Sequence, residues 1–144
     1  MPSQEDPLIE ARRMATLLVG AAEHVKGAFA EAVALYGLPV TTARALLLLQ
    51  APAPMRDLAT HMSCDQSYIT LIADDLEQRG LVTREPGTDR RVKVLTLTEA
   101  GITTRDQISL AVAERSPIMA RLTPAERATL DRLLTALVGG GCEH

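Results

Sequence analysis

No tryptophan and only three aromatic residues, Phe29, Tyr36 and Tyr68, occur in the 144 residues of the chain. A protein that stacks successive bases of a single strand needs a row of aromatic platforms, so that class of binder is excluded. Basic charge is not in excess either, because 15 Lys and Arg stand against 18 Asp and Glu, a net charge of −3. A polycation that coats nucleic acid indiscriminately is thereby excluded, while the clustering of the charges stays open. Cys64 and Cys142 lie far apart, and His24, His61 and His144 fall in no ligand spacing, so no zinc or other metal site is expected. Apolar runs such as Ala45-Leu46-Leu47-Leu48-Leu49 fall far short of the roughly 20 residues that span a bilayer, and no signal-like segment opens the chain. A soluble, cytoplasmic protein with reduced thiols and no membrane contact is expected. No nucleophile, base and orienting group assemble at motif spacing, and no glycine-rich phosphate loop is present, so neither enzymatic turnover nor a cofactor is expected.

What remains is a helical pattern with one β-prone interruption, at an ordinary globular composition of 47% hydrophobic and 23% charged residues. Asp6 can cap, Pro7 open and Gly37 close a long helix from about Pro7 to Tyr36. Its apolar residues, among them Leu8, Ile9, Leu17, Leu18, Val19, Val25, Phe29 and Val33, occupy more than one face, and a partner subunit is expected to cover the excess. Thr41 can cap a short helix over 42–50 whose Ala45–Leu49 run is apolar nearly all round, which predicts a buried helix. After the turn Ala51-Pro52-Ala53-Pro54, a short helix at 56–62, the break Ser63-Cys64-Asp65 and a longer helix from Gln66 to Arg79, closed by Gly80, make a helix-turn-helix. Leu81–Glu85 and Val92–Leu97 are β-prone and flank the turn-rich segment 86–91, so a hairpin with a basic tip follows, completing a winged helix. Helix resumes near Thr98 and breaks at Ser116-Pro117. Thr123-Pro124-Ala125-Glu126 restarts it as a capping box, and Leu130, Leu133, Leu134 and Leu137 form one stripe before the glycines at 139–141.

The fold class is therefore mainly α with a small β-hairpin wing, a winged helix-turn-helix flanked by N- and C-terminal dimerisation helices. The expected organisation is an N-terminal dimerisation helix in 1–40, a binding lobe in 41–98 (reading helix about 66–79, wing about 81–97), and C-terminal helices in 99–144. In the reading helix Ile69, Ile72, Ala73 and Leu76 form the buried stripe, which turns Ser67, Leu71, Asp74 and Gln78 outward, with Tyr68 and Thr70 on the flanks and Gln66 at the start. These amide, hydroxyl and methyl groups suit the base edges of a major groove, and the helix N-terminus can receive a phosphate. Between Arg79 and Lys93 lie five basic residues (Arg79, Arg84, Arg90, Arg91, Lys93) and two acidic ones (Glu85, Asp89), a local excess of three positive charges. Arginine at a hairpin tip suits a narrow minor groove, and Asp89 is close enough in sequence to hold one arginine extended.

In order and spacing, Met55-Arg56-Asp57-Leu58-Ala59, Ile69-Thr70, Leu76-Glu77-Gln78-Arg79-Gly80-Leu81-Val82-Thr83-Arg84, Asp89-Arg90-Arg91, Leu97-Thr98-Glu99-Ala100-Gly101 and Leu122-Thr123-Pro124-Ala125-Glu126 resemble the MarR (multiple antibiotic resistance regulator) family of winged-helix transcription factors. The resemblance implies a homodimer on pseudo-palindromic double-stranded DNA, acting as a transcriptional regulator, in the first instance a repressor. By position it makes Gln66, Ser67, Tyr68, Thr70 and Leu71 major-groove or phosphate contacts and Arg91 the minor-groove residue, oriented by Asp89 and assisted by Arg90. Leu71 and Asp75 depart from positions that are basic in many relatives. That departure favours greater reliance on the wing, or the alternative of a winged helix used for protein contact. The resemblance also implies a small phenolic or amphipathic effector between the dimerisation helices and the binding lobe, for which His24, Tyr36 and Arg44 are the candidate contacts. Cys64, at the turn before the reading helix, is the candidate for a thiol-responsive alternative.

Overall fold

The computed structural model describes residues 6–139. Cys142, Glu143 and His144, considered above as tail residues, lie outside them. In chain order the elements are α1 (Pro7–Ala34), α2 (Val40–Leu48), β1 (Ala53–Pro54), α3 (Met55–His61), α4 (Gln66–Gln78), β2 (Val82–Pro86), β3 (Lys93–Leu97), α5 (Glu99–Arg115), α6 (Pro117–Arg121) and α7 (Pro124–Val138). The chain divides into two compact units.

One unit comprises residues 30–112. Its core is built from Val33 at the end of α1, Leu46 and Leu49 around α2, Ile69 and Leu76 of α4, Val82 and Leu95 of the sheet, and Ile108 of α5, all essentially solvent-free. The unit is wider than the 41–98 lobe expected from sequence, because Ala32, Val33, Ile108 and Ala111 supply part of that core. The Ala45–Leu49 run is not buried all round: Leu48 is 44% exposed on the outer side of α2. Nor does Thr41 cap that helix. Pro39 stands at the cap position, its carbonyl accepting the Ala43 amide at 3.0 Å, and Thr41 already lies within the first turn.

The sheet has three strands in the order β1-β3-β2, all antiparallel. The hairpin register pairs Val82 with Leu97, Arg84 with Leu95 and Pro86 with Lys93. The turn Ala51–Pro54 thus ends in an edge strand, with Ala53 opposite Leu95 and Pro54 opposite Val94. Proline is tolerated there because an edge strand needs no donor on its outer side. The hairpin is fastened to the helices at both ends of its base. Gly80 adopts a left-handed φ of +73° to close α4, the Thr98 hydroxyl donates to the Gly80 carbonyl at 2.6 Å, and the same hydroxyl accepts the Gly101 amide at 3.0 Å, capping α5.

The other unit comprises 6–29 of α1 together with 113–139. Ser116 caps α6 by accepting the Met119 amide at 3.4 Å. Thr123 and Glu126 form the full capping box on α7: the Thr123 hydroxyl accepts the Glu126 amide at 3.2 Å, and the Glu126 carboxylate accepts the Thr123 amide at 2.9 Å. Hydrogen bonding of the carboxylate by Thr123, through its backbone amide first and its side chain second, holds the Glu126 carboxyl below its ordinary pKa. Leu8, Met14, Leu17, Leu18 and Val19 of α1 and Leu133 and Leu137 of α7 are exposed.

Candidate nucleic-acid interface

Helix α4 begins at Asp65, whose carboxylate accepts the Tyr68 amide at 2.8 Å. A negative side chain therefore already occupies the positive end of this helix, so the phosphate expected there from sequence meets a carboxylate instead. The buried stripe is Ile69, Ile72, Ala73 and Leu76, as its spacing requires. Helical periodicity sorts the remaining residues into three strips, and the contacts identify each one.

The strip opposite the core carries Ser67, Leu71 and Gln78, all exposed, with Leu71 at 64%. On one flank stand Tyr68, Asp75 and Arg79, which fasten α4 to α2 and the turn before it. The Tyr68 hydroxyl donates to Thr41 Oγ1 at 3.3 Å, the buried Thr42 hydroxyl donates to Asp75 Oδ2 at 3.0 Å, and Arg79 bridges Asp75 (2.9 Å) to the Gly37 carbonyl (3.3 Å). Asp75, a departure from the basic residue of many relatives, is thus a structural acceptor turned away from the reading strip. The other flank carries Gln66, Thr70, Asp74 and Glu77 and faces the hairpin. Asp74 belongs to this flank and not with Ser67 and Leu71, because Arg84 of β2 draws it in: the guanidinium bonds Asp74 and, at 3.0 Å, Glu77. Hydrogen bonds to Glu77 and then Asp74 raise the Arg84 pKa further above its ordinary value, so its charge is permanent.

Between that flank and the hairpin runs a groove of about 490 Å³, lined among others by Arg56, Gln66, Thr70, Arg84, Arg91 and Lys93. Two-residue periodicity explains the hairpin's share: Leu97 and Leu95 point to the core, and Lys93 continues the same face outward beyond it. The local positive excess read from sequence is divided by these contacts. Arg79 and Arg84 are ion-paired to acids of α4, whereas Arg90, Arg91 and Lys93 make no ion pair among the described residues. Asp89 does not hold a guanidinium. Its carboxylate accepts the backbone amide of Arg91 at 3.0 Å, and the tip is closed by Val92 N–H to Asp89 O (2.9 Å) and Gly87 N–H to Val92 O (2.8 Å). The aspartate orders the turn and leaves both arginine side chains exposed.

Comparison with known proteins finds relatives of this arrangement. The MarR family model matches residues 45–93. A transcriptional regulator of the MarR family from Rhodococcus sp. RHA1 superposes with a TM-score of 0.77 at 27% identity, covering 90% of this chain and 95% of that one. The fold is a winged helix similar to that of MarR-family regulators. CouR of Rhodococcus jostii RHA1, solved with p-coumaroyl-CoA, matches with a TM-score of 0.76 at 25% identity over 91% of this chain and 95% of its own. A candidate regulatory protein of the hcr operon of Thauera aromatica is 39% identical over 82 residues, 56% of this chain and 49% of that protein, so the match spans about half the length of that relative.

The remaining sequence-derived positions fall in both units. His24 is exposed on the part of α1 that belongs to one unit, whereas Tyr36 and Arg44 lie in the other. The Tyr36 hydroxyl donates to the Gln107 carbonyl at 3.3 Å, and Arg44 is exposed on α2. Cys64 is half-buried in the α3–α4 turn, its amide donating to Ala59 O at 3.0 Å. Among the described residues no cluster of three His, Cys, Asp or Glu could hold a metal, and no helix is long and apolar enough to cross a membrane. Sequence reasoning missed Arg56 and Lys93. The available signal was the alternation Leu97, Leu95, Lys93, which assigns Lys93 to the helix side of the hairpin.

Proposed function

We propose that the chain is a cytoplasmic, homodimeric transcriptional regulator that binds pseudo-palindromic double-stranded DNA and acts by binding rather than by turnover. One observation carries this reading: the exposed Ser67, Leu71 and Gln78 strip of α4 and the unpaired Arg90 and Arg91 of the wing tip belong to one compact unit, on either side of a basic groove. A helix with a small polar and methyl-reading face fits the major groove, and a pair of exposed arginines on a narrow hairpin fits the adjacent minor groove. Gln66, Ser67, Thr70 and Leu71 are the major-groove set, Arg91 with Arg90 the minor-groove set, and Asp89 shapes the turn that presents them. Tyr68, whose hydroxyl is engaged with Thr41, offers its exposed ring edge to the backbone.

Repression relieved by a small effector completes the reading, as a shift between DNA-competent and DNA-incompetent populations. The relative solved with p-coumaroyl-CoA supports a phenolic, amphipathic effector of that type. His24, Tyr36 and Arg44 remain its candidate contacts. Electrophoretic mobility of the full chain with its own upstream DNA, at two salt concentrations, tests the function. A sequence-selective shift at low salt that Arg91→Ala abolishes is expected. No shift at low salt, or one indifferent to Arg91→Ala, would refute DNA regulation and leave the protein-contact use of the hairpin.

A further inference from the structure

We infer that Leu71 is a specificity-determining residue that reads the 5-methyl group of one thymine in each half-site, and that no charged side chain of α4 takes part in reading bases. The inference rests on the DNA-binding reading above and names the base which that reading leaves open.

Five charged side chains belong to α4 and its two caps, Asp65, Asp74, Asp75, Glu77 and Arg79, and each is engaged within the protein. Asp65 accepts the Tyr68 amide, Asp75 accepts the Thr42 hydroxyl and the Arg79 guanidinium, and Arg79 reaches on to the Gly37 carbonyl. Asp74 and Glu77 share the guanidinium of Arg84. A base edge can be read by charge in two ways, an arginine or lysine on guanine and a carboxylate on the cytosine amino group. Neither has a free side chain on this helix.

The neutral groups are also partly taken. Thr70 donates its hydroxyl proton to the Gln66 carbonyl at 2.9 Å, and the Tyr68 hydroxyl is engaged with Thr41. On the exposed strip, Leu71 is the large apolar side chain, 64% exposed. Ser67 and Leu71 are four residues apart and lie one above the other, and a leucine in a helix leans back over the turn before it. Leu71 thus covers the surface beside Ser67, toward the N-terminal part of the helix that a helix-turn-helix presents to base edges. Thymine alone among the four bases carries an apolar group on its major-groove edge. Against any other base, leucine would strip water from polar atoms and return no hydrogen bond.

Uracil in place of thymine removes that methyl group and keeps the base pairing. With the full chain at low salt, where backbone attraction keeps weakened variants bound, each thymine of the upstream operator is replaced by uracil in both half-sites at once. At one symmetry-related position the wild type is expected to lose affinity about fifteenfold, about fourfold per half-site for a methyl-sized contact. Leu71→Ala should be indifferent to the same replacement, and Leu71→Met should keep the sensitivity. Thermal midpoints of both variants should match the wild type, because the side chain is exposed. If wild type binds the operator but no uracil replacement weakens it, or if Leu71→Ala pays the same penalty, the assignment is overturned while DNA binding stands. A wild-type chain that fails to bind any duplex at low salt overturns both.

Discussion

A methyl group on Gly101 would stand 2.0 Å from the Leu81 carbonyl oxygen and 3.2 Å from the Leu97 side chain. The start of α5 therefore touches the base of the hairpin through bare backbone, and Thr98 spans the same junction with its hydroxyl. Gly101→Ala must push the two apart, and overpacking of this kind costs about 1–3 kcal/mol. A fall of that size in unfolding free energy, measured by urea titration, is the expected outcome; an unchanged midpoint would show that the junction yields. The run Leu97-Thr98-Glu99-Ala100-Gly101 was visible in the sequence as a motif, but its reason was not, because the Leu81 carbonyl it abuts is 20 residues earlier in the chain. The same limit explains two reversals. Asp89 is two residues from Arg91, and only the folded turn shows its carboxylate on the amide rather than the guanidinium. Asp74 lies within the outward arc of α4 by periodicity alone, and a cation from β2 claims it.

At the scale of elements, local chemistry carried the sequence reading furthest. The capping box of α7 was legible because its partners are three residues apart, and both reciprocal bonds form. It also yields a pH dependence. The Glu126 pKa is lowered in the folded state, so its contribution is fully present above the pKa of the unfolded carboxyl and is lost as pH falls through the folded value. The difference in thermal midpoint between wild type and Glu126→Ala should accordingly be constant near neutrality and shrink under acid conditions; a difference that grows on acidification would contradict the assignment. Strand β1 was illegible for the opposite reason. Two residues, one of them proline, carry no periodicity, and they become a strand only because β3 has a free edge beside them.

For the whole molecule, the exposed apolar residues of α1 are the feature that asks for company. Leu8 at 74%, Met14 at 54%, Leu17 at 58% and Val19 at 61% exposure exceed what a lone soluble chain usually presents along one helix. Light scattering at micromolar concentration should return about twice the 15.5 kDa of one chain, and Leu17→Glu should shift the population toward the single-chain mass. A wild-type mass of one chain would leave the stripe unexplained and count against the dimer. The excess itself was legible, since no amphipathic pattern of that length leaves so many apolar residues over. The boundary of that unit was not, because the end of α1 and most of α5 belong to it without any break in composition. The wing tip, finally, bears on the kinetics of recognition. Three hydrogen bonds close the turn over 87–92 before any ligand arrives, so the backbone there has lost its conformational freedom during folding. If the wing tip enters a DNA groove as proposed, encounter has only the rotamers of Arg90 and Arg91 left to immobilise, and the ordering entropy of the loop is absent from the association step.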